Sequence, residues 1–206
     1  MAYPYSKTET LADGAVHAAG IGFAVAAVPL LLGQANGNEG IFWAAGLYTG
    51  CLVLSLVASA VYHMTPVEPI RPLLHRIDHA AIYFKIAGTY TPFVALVGTA
   101  FAYGVLGLVW TIALLAALAK LSFWEVNARG SLMLYLGLGW LSILLIWPMW
   151  TVLPGAATAL VVAGGITYSA GTLIYAHPGM PYQNALWHLV VLAASICFFV
   201  AVTLSL

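Results

Sequence analysis

Residues 86–119, IAGTYTPFVALVGTAFAYGVLGLVWTIALLAALA, run between Lys85 and Lys120 without a charged side chain. These 34 residues are too many for one membrane span and too few for two at about 20 residues each. The third helix must therefore begin before them, near Asp78, and Lys85 falls inside the membrane. The third and fourth spans become 79–97 and 101–121, joined at Gly98-Thr99-Ala100. Pro92 lies within the third span, where it removes a backbone donor and bends the helix.

Charged residues punctuate the rest of the chain in the same way, because each costs about 2.5–3.5 kcal/mol at the centre of a span. Stretches 16–32 and 41–63 are free of charge and are separated by the turn-forming run Gly33-Gln34-Ala35-Asn36-Gly37-Asn38. No charged residue follows Arg129. Breaking that tail at Pro148 to Gly155 and at His177-Pro178-Gly179-Met180-Pro181 predicts spans 130–147, 156–175 and 184–206. The expected fold is an all-α integral membrane bundle of seven transmembrane helices, a single domain over 1–206 preceded by a polar tail, 1–13.

Composition agrees. The chain is 63% hydrophobic and 6% charged, with six Lys+Arg balancing six Asp+Glu, whereas soluble proteins carry about 25% charge. Seven spans use about 140 residues and leave no room for a second domain. Zero net charge without a basic run excludes a nucleic-acid partner. Cys51 and Cys197 sit in apolar stretches and read as buried small hydrophobes. The expected partners are membrane lipids, among them a lipid substrate.

With seven spans, Lys7, Arg71, Arg76, Lys120 and Arg129 share one side of the membrane and the opposite connections hold no Lys or Arg. The positive-inside bias places the N-terminus in the cytoplasm and the C-terminus outside, in a multi-pass protein of the bacterial inner membrane. Trp43, Trp147 and Trp150 then fall near the outer interface and Trp124 and Trp187 near the inner one.

That topology puts all six histidines at the cytoplasmic side. His17 begins the first span, His63 ends the second, His75 and His79 flank the start of the third, His177 follows the sixth, and His188 lies one turn into the seventh. Ionisable groups at membrane depth mark a site. Ser59 and His63, and Asn184 and His188, are i,i+4 pairs, and Glu9, Asp13 and His17 repeat every four residues, so each set lines one helical face. Asp78 sits at a helix start, where the dipole favours a carboxylate. Imidazole, carboxylate and hydroxyl converging from separate helices suit a divalent metal such as zinc. The residues alone leave open whether His63 and His188 ligate a metal or bond across helices. His75 and His177 read as solvated loop residues, and Lys85 as snorkelling to the headgroups.

Four separated motifs now converge. Ser59-Ala60-Val61-Tyr62-His63 is a Ser-x-x-x-His motif; Asp78-His79 is followed by Ile86-Ala87-Gly88-Thr89-Tyr90-Thr91-Pro92-Phe93; Trp187-His188-Leu189-Val190-Val191-Leu192 lies in the last span; Glu9 and His17 open the first. In this order they resemble the hemolysin III proteins, the bacterial branch of the progestin and adipoQ receptor (PAQR) family. The resemblance implies zinc near the cytoplasmic face, bound by His63 and His188 and by Asp78 through water, with Ser59 alongside. The family's remaining histidine position holds Asn184, a weak neutral donor. This departure implies an incomplete site and substoichiometric zinc, which Asn184→His would repair; Asp78 binding directly, or His17 or His79, are the candidate replacements. Asp13 stands where the family more often has asparagine and adds an acid.

Three functions follow from the resemblance. The first is a zinc-dependent, ceramidase-like hydrolase of lipid amides or esters, with Asp78 and Ser59 as catalytic residues. The second is a membrane sensor or receptor-like protein with a structural or degenerate metal site. A pore-forming hemolysin stands third, because a conduction path needs polar groups across the midplane and the outer halves of the spans are nearly all apolar. For helix packing, the expected close contacts are at Gly14-x-x-x-Ala18-x-x-x-Gly22, Gly46-x-x-x-Gly50, and Gly164, Ser169 and Gly171.

Overall fold

A computed structural model of the chain describes residues 6–122, 128–177 and 179–206. Trp124 and Pro178, used above as a belt residue and a helix breaker, lie outside them. The described residues form helices α1 (Lys7–Ala35), α2 (Glu39–Met64), α3 (Arg71–Val97), α4 (Ala100–Leu121), α5 (Ala128–Trp140), α6 (Ile143–Val152), α7 (Gly155–Tyr175) and α8 (Gln183–Ser205). Seven segments are long and apolar enough to cross a membrane, with α5 and α6 sharing one, Gly130–Val152. The protein is a multi-pass cell membrane protein.

α1 starts nine residues before the first apolar stretch. Ser6 and Glu9 form a capping box: Ser6 Oγ accepts from the Glu9 amide at 3.2 Å, and Glu9 Oε2 accepts from the Ser6 amide at 3.0 Å. The expected tail therefore enters a helix at Lys7, and the four-residue repeat of Glu9, Asp13 and His17 becomes one continuous face. Glu9 Oε1 also accepts from the Tyr182 amide at 3.1 Å. Tyr182 has φ 56° and immediately precedes α8, so one carboxylate ties the starts of α1 and α8 together.

The fifth span breaks where the sequence gives little warning. Pro148, expected to end a helix, lies inside α6, and the interruption falls at Leu141-Ser142. There the Ser142 amide turns to Gly139 O instead of Leu138 O. The Tyr90 hydroxyl of α3 fills the gap, 2.7 Å from Leu138 O and 2.8 Å from Gly139 O. A neighbouring helix thus satisfies carbonyls that lipid cannot, and this partner makes a broken span tolerable.

α3 runs through the middle of the bundle. It packs against α2 and α4 along its length and also touches α5, α6 and α8, while α1 lies between α2 and α8, and α7 pairs with α8. Close approach is achieved at glycines only partly foreseen. A Cβ at Gly88 would sit 2.7 Å from Cys51 Cβ and 3.6 Å from Tyr48 Cα, so the α2 and α3 backbones come close there; Gly164 and Gly171 of α7 make room for the Phe198 and Val190 side chains of α8. Gly22, Gly46 and Gly50 correct the expectation, since a Cβ at any of them would meet nothing within 4 Å. Lipid-facing surface is broadly apolar, with Trp43, Trp147 and Trp150 all exposed. Trp187 instead packs on the Tyr168 and Tyr175 rings.

Candidate metal centre

Three helices bring three histidines together at one end of the bundle. His17 comes from α1, His63 from the last turn of α2 and His188 from the second turn of α8. Their ring centroids are 4.4 Å apart for His17 and His188, 4.4 Å for His63 and His188, and 5.6 Å for His17 and His63. Asp13, one turn before His17, sits among them. Its Oδ1 is 2.6 Å from His188 Nδ1 and 3.6 Å from His17 Nε2, and its Oδ2 is 3.4 Å from His63 Nδ1.

Asp13, His17, His63 and His188 each offer a ligand atom, and these atoms lie within 4.8 Å of one another. The donor set suits a divalent cation. It also fits one by a second criterion: His17 Nε2 is buried and has no hydrogen-bond partner. Buried polar atoms are seldom left without a partner, and an orphan nitrogen facing a carboxylate and two imidazoles is what a cation would satisfy.

Two contacts set the tautomers. At 2.6 Å the His188 Nδ1–H donates to Asp13, which leaves Nε2 as an acceptor 3.4 Å from the Ser59 hydroxyl. The Asp13 contact to His63 is also through Nδ1. A carboxylate that accepts from a ring N–H, as Asp13 does from His188, orients that imidazole for a metal on its other nitrogen.

Beyond the imidazoles lies a chamber of about 220 Å³, lined by Ser59, Asp78, His79, Asn184 and Trp187 among others. Asp78 is buried and neighbours Ser59. Of the residues singled out in the sequence, His63 and His188 meet directly, Ser59 adjoins them, and Asp78 faces the same chamber without joining the group of four. Asn184 lines the chamber beside His188. His79 lines the chamber but stays out of the group of four: its ring lies 4.1 Å from that of His75, and the Tyr135 hydroxyl donates to its carbonyl oxygen at 3.1 Å. His75 is exposed but belongs to α3 rather than to a loop, packed on Tyr62. His177 is exposed beyond α7, its Nδ1 2.6 Å from Leu173 O.

The chain belongs to the haemolysin-III related family. A model of that family matches residues 5–199. Among the curated haemolysin-III relatives, a hemolysin-3 homolog of Bacillus subtilis (strain 168) is 34% identical over 203 residues, covering 96% of this chain and 94% of the relative. Hemolysin-3 of Bacillus cereus is 31% identical over 197 residues, covering 94% of this chain and 90% of the relative.

The haemolysin-III chain thus supplies two donors that the motif reading held only in reserve or did not assign, His17 and Asp13. The i,i+4 repeat from Glu9 was the signal for both. Turning it into ligands required knowing that α1 starts early enough to be helical at Asp13, and that it lies between α2 and α8. Lys85 is the other revision. The residue is 7% exposed, and its side chain points into the bundle interior, toward the Tyr168 ring, rather than snorkelling to the headgroups. No sequence signal separates those outcomes, since both place the lysine on a span.

Proposed function

We propose that this protein is a metal-dependent hydrolase of lipid amides or esters, with a zinc-type cation held by His17, His63 and His188 and oriented by Asp13. The observation that carries this reading is the arrangement of Ser59 and Asp78 around the chamber onto which His188 Nε2 faces. When bound, the cation would polarise the scissile carbonyl and lower the pKa of water from 15.7 to about 7. Asp78 would take the proton of the attacking water and pass it to the departing amine or alcohol, so that amide and water become carboxylic acid and amine. The Ser59 hydroxyl would donate to the oxyanion as it develops. The positive-inside bias of the five basic residues supports a chamber at the cytoplasmic face.

The test is turnover of an N-acyl lipid by purified protein, followed by fatty acid released. Wild type should hydrolyse it, and Asp78→Asn should lose all activity while keeping its metal. Equal turnover in that variant removes Asp78 from the mechanism and the mechanism with it.

One observation supports a second reading. If Asp13 itself is the fourth donor, protein groups fill a tetrahedral site, and closed four-ligand zinc sites are structural. The cation would then tie α1, α2 and α8 together in a sensor or receptor-like protein. His63→Ala would in that case lower the melting temperature in detergent without altering any hydrolysis, whereas an unchanged melting temperature counts against it.

A further inference from the structure

Five of the six histidines line the chamber of the metal centre. Three of them, His17, His63 and His188, belong to the centre. The other two, His75 and His79, are i,i+4 on α3 and so share one helical face. Their rings lie 4.1 Å apart, tilted by 39°. His75 is exposed and His79 half-buried, so this pair stands where the chamber meets solvent, while the centre lies deeper. The Tyr62 ring touches both groups, with its centroid 5.2 Å from that of His75 and 4.7 Å from that of His63.

The pair has the features of a ligand set. Two nitrogens bound to one zinc at about 2.0–2.1 Å each are at most about 4 Å apart, and two histidines at this helical spacing are a recurring zinc-binding unit. The Tyr135 hydroxyl donates to the His79 carbonyl oxygen at 3.1 Å and lies 3.3 Å from His79 Nδ1. With its proton committed to the carbonyl, the hydroxyl oxygen accepts from Nδ1–H. That fixes the ring and leaves Nε2 with a lone pair, as a metal-binding histidine requires.

The charges nearby say which cation. Lys120, Arg71 and Arg76 act on His75 through space. Magnesium or calcium, which take oxygen ligands and are held by charge, would be repelled there. A borderline cation bound through imidazole nitrogen depends less on charge, which leaves zinc, copper or nickel.

We propose that His75 and His79 form a second, weaker site for a zinc-type cation at the mouth of the chamber, through which the cation passes on its way to Asp13, His17, His63 and His188. The site itself stands on the two histidines; its role as an entry station rests on the reading that the four-residue centre binds the same cation. Two protein ligands leave open the positions that a closed site fills, so the cation can be handed on.

The experiment measures equilibrium binding of radioactive zinc to full-length, tag-free protein in phosphatidylcholine nanodiscs, stripped of metal beforehand. Wild type should show two classes of site, one tight and one at least tenfold weaker that magnesium does not displace. His75→Ala should lose the weak class and keep the tight one, which also shows that the variant is folded. His188→Ala should do the reverse, and His75→Cys, which restores a zinc donor, should recover the weak class. In His75→Ala the tight class should fill at least fivefold more slowly and release zinc to a chelator more slowly by the same factor, because an entry station alters the path and not the equilibrium. A weak class without a tight one would refute the four-residue centre, and the entry role with it, while supporting the second site. No weak class in wild type, a weak class that survives in His75→Ala, or an unchanged loading rate in that variant overturns the proposal.

Discussion

Replacing Asp13 by Asn tests the metal centre at the residue that touches all three imidazoles. The amide is nearly isosteric and keeps one acceptor oxygen, but it removes the charge. At 2.6 Å the contact to His188 is a charge-assisted hydrogen bond, a class that contributes about 1.5–3 kcal/mol, against about 0.5–1.5 kcal/mol for a neutral one. The difference, about 1–1.5 kcal/mol, is roughly tenfold in an equilibrium constant. The contacts to His63 at 3.4 Å and His17 at 3.6 Å are longer and add less, which keeps the total within the 10–100-fold range typical of groups that orient metal ligands. Zinc affinity should therefore fall by about 10- to 100-fold. The assay is competition with chelators of graded affinity, followed by elemental analysis of the protein. Melting curves of the metal-free forms should show whether the substitution also unfolds the bundle. If Asp13→Asn holds zinc within twofold of wild type while folded, Asp13 is neither ligand nor orienting group, and the four-residue centre is wrong.

Other substitutions probe the frame around the centre. Asn184→His should leave the zinc content unchanged, because α1 already supplies the further donors; a large gain in elemental analysis would restore the incomplete-site expectation. Tyr90→Phe removes the donor to Leu138 O at the α5–α6 break and should cost about 1–3 kcal/mol, read as a lowered melting temperature in detergent. Unchanged stability would mean that the break needs no cap. Gly88→Ala sets a methyl 2.7 Å from Cys51 Cβ and should destabilise by about 1–3 kcal/mol, whereas Gly50→Ala, with open space around its Cβ position, should be nearly neutral in the same melts.

The membrane class, the number of spans and the gathering of chemistry at one end were legible in the sequence because each follows from a one-dimensional cost. A charge in hydrocarbon is expensive wherever its neighbours are, so gaps between charges measure spans. Seven segments count a helix's passage through lipid, and His17, His63 and His188 inherit their depth from that count. The i,i+4 pairs Ser59/His63 and Asn184/His188 likewise need only the helical repeat.

What only the tertiary structure decided depends on which helices are neighbours and how they are rotated. Asp13 became a partner of three histidines because α1 lies between α2 and α8, a fact that no local pattern encodes. The broken fifth span needed Tyr90 from another helix before its carbonyls could be left open, so Pro148 misled and Leu141-Ser142 gave no warning. Glycine spacing alone did not say which faces meet: Gly88 proved to be the close contact and Gly46 and Gly50 did not. Lys85 could reach the headgroups or the interior from the same position in the chain, and the rotation of α3 within the bundle turned it inward, to the wall of the chamber.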